Sequence, residues 1–178
     1  MKIFLSGGAK NGKSSLAQDL AVRLSRGGKR YYVATMIPVD EEDRLRIRRH
    51  IADRDGLDFE TLEQGRDLPV CLSRADVDGA FLLDSLTALL SNEMFHDGTV
   101  DAKAGPRCVR DLTDFLDRVN HAVVVSDSIY CDAGRYDEIT ELYRRSLADL
   151  DRMAAQLCDT VIEMSAGQLI IHKGGLPE

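Results

Sequence analysis

The chain has 178 residues, a length that favours one domain over residues 1–178, with a core large enough to need no disulfide or metal staple. Charged residues make up 30% and the net charge is −7. That balance excludes general nucleic-acid backbone binding, which needs clustered Lys and Arg. Any anion must therefore be held by a local basic site working against the global field.

Lys2-Ile3-Phe4-Leu5 is too short an apolar run for a signal peptide, and no stretch has the length of a membrane span. Cys71, Cys108, Cys131 and Cys158 are scattered, with no C-x-x-C pair to suggest a zinc site or redox pair. These features predict a cytoplasmic protein with reduced, mostly buried thiols.

Strand and helix signals alternate along the chain. Residues 2–6 predict a buried strand, followed by a glycine-rich loop. Leu16, Leu20, Val22 and Leu24 recur at helical spacing over 14–26, and Gly27-Gly28 ends that helix. Residues 31–34 predict a second strand. Residues 40–55 predict a charged helix with acidic residues at its start, where they suit the helix dipole. A short strand follows at 58–62. Ala80-Phe81-Leu82-Leu83-Asp84 is an apolar strand ending in a carboxylate, leading to a helix over 85–95. Gly98, Gly105 and Pro106 mark 96–106 as a loop before an amphipathic helix over 109–119. Residues 122–126 predict a buried strand, 140–157 a long helix, and 160–164 with 168–172 a hairpin around Ala166-Gly167. This alternation predicts a mostly parallel sheet with helices on both faces and a C-terminal β-hairpin. In such folds ligands gather at the carboxyl ends of the strands.

Gly7-Gly8-Ala9-Lys10-Asn11-Gly12-Lys13-Ser14 fits G-x-x-x-x-G-K-S in full, between a strand and a helix. Glycines let backbone N–H groups wrap a phosphate, and the following helix aims its positive end at the same anion. Lys13 would reach the outer phosphates and Ser14 would ligate Mg²⁺. An acidic residue at a strand end is then expected to help organise the metal. Asp84 fits and Asp127 is its rival; for either, the alternative is a helix N-cap.

Arg46, His50 and Arg54 stand at i, i+4 and i+8 in an arginine-rich stretch. Neighbouring positive charge disfavours imidazolium, and a neutral imidazole is a nucleophile. Flanking guanidiniums would stabilise charge on an attacked phosphate. Such a histidine suits transient carriage of a phosphoryl or nucleotidyl group. The alternative is a solvated basic helix.

Further short motifs follow in order: Tyr32-Val33-Ala34-Thr35, Thr61-x-Glu63, and Leu83-Asp84-Ser85-Leu86-Thr87 with Asn92 beyond. With the phosphate loop and Arg46-Ile47-x-x-His50-x-x-x-Arg54, the chain resembles the bifunctional adenosylcobinamide kinase/adenosylcobinamide-phosphate guanylyltransferases of cobalamin biosynthesis. The resemblance spans residues 1 to about 95. It implies a three-layer, RecA-like P-loop NTPase fold and two reactions. A corrinoid hydroxyl is phosphorylated with ATP or GTP. A histidine, His50 here, then takes GMP from GTP and passes it to the corrinoid phosphate. Implied at the nucleotide are residues 7–14, Ala34, Thr35, Arg46, Arg54, Glu63 and Asp84, with Mg²⁺ on Ser14 and Asp84. A homotrimer is also implied. The second half departs from the family pattern. Ser126-Asp127-Ser128 stands where Asn-Glu is usual, which makes Asp127 a candidate replacement for a carboxylate function. Alternatives are a P-loop kinase of other specificity and a nucleotide-binding regulatory protein of low turnover.

Overall fold

A computed structural model of the chain describes residues 1–177. In chain order the elements are β1 (Lys2–Gly7), α1 (Lys13–Ser25), β2 (Arg30–Ala34), α2 (Glu41–Ala52) and β3 (Phe59–Glu63). A 3-10 helix (Leu68–Arg74) leads to β4 (Ala80–Asp84) and α3 (Leu86–Met94). A two-rung hairpin of β5 (Phe95–His96) and β6 (Thr99–Val100) precedes α4 (Ala104–Arg118) and β7 (His121–Val125). The chain closes with α5 (Glu138–Leu157), β8 (Thr160–Ser165) and β9 (Gln168–Lys173).

Seven strands form one sheet in the order β3-β2-β4-β7-β1-β8-β9. All neighbours are parallel except the β8–β9 hairpin. From β1 the chain first runs to strands on one side, and only β8 and β9 return to the other. The loop after β1 therefore sits at a topological switch point, where parallel sheets open a crevice for ligands.

Strand alternation divides the core into two layers. Ile3, Leu5, Leu82, Val123 and Val125 face α1 through Ala17, Leu20 and Leu24. Phe4, Val33, Phe81, Leu83 and Val124 face the opposite way, onto α3, α4 and α5. Phe81 is central there, stacked on Tyr31 with centroids 4.9 Å apart and edge-on to Phe115 at 5.6 Å. Helix α2 differs from the others: it buries none of its residues and stands off the sheet.

Three boundaries depart from the sequence reading. Helix α4 begins at Ala104, inside the expected 96–106 loop, because Gly105 and Pro106 occupy its first turn. Proline is tolerated there, where its missing N–H has no intrahelical partner. Gly105 lets α4 approach α5: a Cβ at that position would lie 2.6 Å from Ser146 Oγ. The same expected loop also holds the β5–β6 hairpin, and α2 stops at Ala52 rather than Asp55. Cys71, Cys108 and Cys158 are buried and Cys131 is exposed; all four are free thiols.

Candidate active site

Strand β1 delivers the phosphate loop to the carboxyl edge of the sheet. Gly7 has φ 146°, and a Cβ there would lie 2.3 Å from the carbonyl oxygen of Met164 on β8, so only glycine fits. Gly12 caps α1 at φ 84° and offers no side-chain cap. The first N–H groups of α1 are thus left free to bind an anion. Lys13 is buried; its ammonium donates to the Gly8 carbonyl at 2.7 Å and pairs with Asp127 at 2.8 Å. Ser14 follows in the first turn of α1, and Ala9 and Lys10 lie exposed at the tip of the loop. The Asn11 side chain ties that tip to the Met164 carbonyl at 3.4 Å.

Beside the loop, on the same edge of the sheet, α2 roofs a cavity of about 550 Å³. Its charged lining includes Arg46, His50, Arg54, Glu63 and Asp84. Arg54 lies beyond the end of α2 yet stays on the face of Arg46 and His50. Its guanidinium carbon rests 3.4 Å above the centroid of the Tyr32 ring. Tyr32 in turn donates its hydroxyl to Asp84 Oδ2 at 2.8 Å. Burial first, then the charge of Asp84 and the hydrogen bond to it, keep the Tyr32 phenol protonated far above its ordinary range. Six buried side-chain polar atoms among the described residues have no hydrogen-bond partner, and two of them, Nδ1 of His50 and Nη1 of Arg54, belong to residues that line this cavity. Buried polar groups are nearly always paired, so these two mark where a polar ligand would complete the cavity.

The junction after β4 resolves one sequence ambiguity. Ser85 is the N-cap of α3, its hydroxyl accepting from the Ala88 N–H, so Asp84 is not a helix cap. Asp127 is not one either, because α5 is capped by Asp137. Thr35 is fully buried, and its hydroxyl accepts from Ser85 N at 2.6 Å and donates to Ser85 O at 2.9 Å. The carbonyls of Thr35 and Gly65 both accept from Asn92 Nδ2, at 2.7 and 2.9 Å. Thr35 thus clasps β2 to the β4–α3 turn and does not line the cavity, whereas Ala34 does.

The structure therefore gathers Ala34, Arg46, His50, Arg54, Glu63 and Asp84 around one cavity. Residues 7–14 form a neighbouring site with Asp127. Sequence reading placed Tyr32 in a strand and at the head of the Tyr32-Val33-Ala34-Thr35 motif but gave it no role at the site. It met Asp151 only as part of a stretch, 147–151, that departs from the family pattern; Asp151 is buried on α5. Burial and the nearby charge of Asp127 push the Asp151 carboxyl up to about 6, against hydrogen bonds that lower it, Tyr130's first.

The family model for cobinamide kinase/cobinamide phosphate guanyltransferase matches residues 3–171. The chain belongs to this family. The match runs through the divergent second half, so the departures around Asp127 lie within a cobinamide kinase/guanyltransferase. The enzyme is a kinase and guanylyltransferase of cobalamin biosynthesis, as the sequence resemblance implied. No curated protein shows significant sequence similarity to it. Among solved structures it resembles the KaiC-like protein PH0186 of Pyrococcus horikoshii OT3, at TM-score 0.58 and 12% identity, covering 97% of this chain and 79% of that one. PH0250 of the same organism gives 0.56 and 10%, covering 97% and 86%. These likenesses show the fold, the RecA-like P-loop NTPase architecture expected from the sequence. No helix among the described residues is long and apolar enough to cross a membrane.

Proposed function

We propose that His50 carries GMP between GTP and the corrinoid phosphate. The carrying observation is its buried, unpartnered Nδ1 in a cavity shared with Arg46 and Arg54. In the first half-reaction an imidazole nitrogen attacks the α-phosphorus of GTP, and the bond to the bridging oxygen of pyrophosphate breaks. Lys13 and the open N-terminus of α1 receive the charge of the departing pyrophosphate. Arg46 and Arg54 neutralise the α-phosphate oxygens. In the second half-reaction an oxygen of the corrinoid phosphate attacks the same phosphorus and the P–N bond breaks.

Gly7, Gly8, Ala9, Lys10, Asn11 and Gly12 cradle the triphosphate, while Ala34, Glu63 and Asp84 border the rest of the nucleotide. Thr35 acts there through the clasp on Ser85. The residues also fit Mg²⁺. Ser14 opens α1 and Asp84 ends β4, which offers one hydroxyl and one carboxylate at the carboxyl edge of the sheet. Such a sparse protein shell suits a metal that keeps waters and phosphate oxygens as ligands. When bound, Mg²⁺ supplies charge neutralisation on the phosphates.

A homo-oligomer, a trimer by family resemblance, is supported by edge strand β9, where Leu169, Ile170 and Ile171 are 37–43% exposed. The exposed free thiol of Cys131 and the need for nucleoside triphosphates support a cytoplasmic location. The mechanism is tested by incubating the protein with α-labelled GTP and mapping the adduct by mass spectrometry. A base-stable, acid-labile label on His50, lost in His50→Ala, is expected. Label elsewhere, or undiminished in the variant, contradicts the assignment.

A further inference from the structure

One carboxylate touches the phosphate loop without belonging to the His50 cavity. Asp127 follows β7, the strand between β1 and β4. The backbone around it is stitched to the loop: Ser126 N donates to Leu5 O at 3.0 Å and Ser128 N to Gly7 O at 3.3 Å. Asp127 N itself donates to Thr87 Oγ1 at 2.9 Å. The carboxylate lies 2.8 Å from Lys13 Nζ and keeps about a quarter of its side chain exposed. Neither neighbouring carboxylate pairs with Lys13. Asp84 accepts from Tyr32 and lines the arginine cavity, and Asp151 is 3% exposed and accepts from Tyr130 at 2.7 Å.

The phosphate-loop lysine reaches the outer phosphates of a bound triphosphate. A group now in contact with its ammonium therefore lies beside the γ-phosphate position. About a quarter of the Asp127 side chain is open to solvent, the side from which an acceptor would enter. A hydroxyl acceptor must reach the γ-phosphorus from that side, and it needs a base within hydrogen-bond reach.

We propose that Asp127 is the general base of the phosphoryl-transfer step. It accepts the proton of the acceptor hydroxyl as that oxygen bonds to the γ-phosphorus. The bond from the γ-phosphorus to the β–γ bridging oxygen breaks, and the nucleoside diphosphate leaves with the electron pair. The captured proton returns to water through the exposed side of the carboxylate. This assignment rests on the phosphate loop holding the donor and is independent of the guanylyl-histidine.

The test compares wild type and Asp127→Asn in three assays: phosphorylation of cobinamide by γ-labelled nucleotide, displacement of a fluorescent nucleotide, and protein labelling from α-labelled GTP. Phosphorylation is expected to fall by about 100-fold or more, the usual contribution of a general base, with triphosphate affinity held within about twofold and α-labelling retained. Asp127→Glu, which keeps a carboxylate, is expected to retain more activity than Asp127→Asn. Near-wild-type phosphorylation in Asp127→Asn overturns the proposal. Lost triphosphate binding, or activity recovered at raised Mg²⁺, also overturns it, by making Asp127 a phosphate-site or metal residue. Should Asp127→Asn fail to fold, Asp127→Ser carries the same comparison. Absent α-labelling in wild type would strike the histidine mechanism alone, because the phosphorylation comparison reads a different bond.

Discussion

Arg54 stacks on Tyr32 at 3.4 Å, and through the Tyr32 hydroxyl that stack is linked to Asp84 at the end of β4. The arrangement joins the segment after α2 to the centre of the sheet, although α2 itself buries nothing. A guanidinium held over a ring face can still donate from its N–H groups, and the unpartnered Nη1 is one such group. Replacing Arg54 by leucine is therefore expected to weaken GTP binding by about tenfold, the loss of a charge-assisted contact. The melting temperature should also fall modestly, because the buried cation–π contact with Tyr32 is lost. Titration with a fluorescent GTP analogue, alongside thermal melts, checks both halves.

The phosphate loop was legible from residue types alone, since its glycines and Lys13-Ser14 answer to backbone geometry and charge. The face of Arg46, His50 and Arg54 was legible because helical spacing brings such residues together. Asp84 and Asp127 could not be separated in sequence: both follow apolar strands, and either could have capped a helix. Only the finding that Ser85 and Asp137 are the caps frees the two carboxylates for other work. The start of α4 was hidden because Gly105-Pro106 resembles a turn until Ser146 of α5 is seen packed against it.

That contact yields a stability prediction. A methyl group at Gly105 would meet Ser146 Oγ at 2.6 Å and Cβ at 2.7 Å. Gly105→Ala is expected to destabilise the protein by about 1–3 kcal/mol, as overpacking does. Ser146→Gly in the same chain should recover most of that loss. Denaturant melts of the two single variants and the double variant measure the coupling.

Asp151 predicts a pH dependence. Its folded-state value of about 6 lies above the ordinary carboxylate value of about 3.9. A raised carboxyl contributes stability that is fully present below the unfolded value and is lost as pH rises through the folded one. Asp151→Asn keeps a neutral acceptor for Tyr130 without the ionisation. It is expected to be more stable than wild type at pH 8, by on the order of 2–3 kcal/mol, with the gap closing towards pH 4. Equal gaps at both pH values would contradict the burial argument.

The proposed passage of GMP through His50 on its way to the corrinoid can be followed in a single turnover. The labelled protein is isolated after removal of free GTP, and cobinamide phosphate alone is then added. Label is expected to leave the protein at a rate compatible with turnover and to appear in a corrinoid carrying a GMP unit on its phosphate. Label that stays on the protein, or leaves only as free GMP while wild-type turnover with GTP proceeds, would contradict the histidine route.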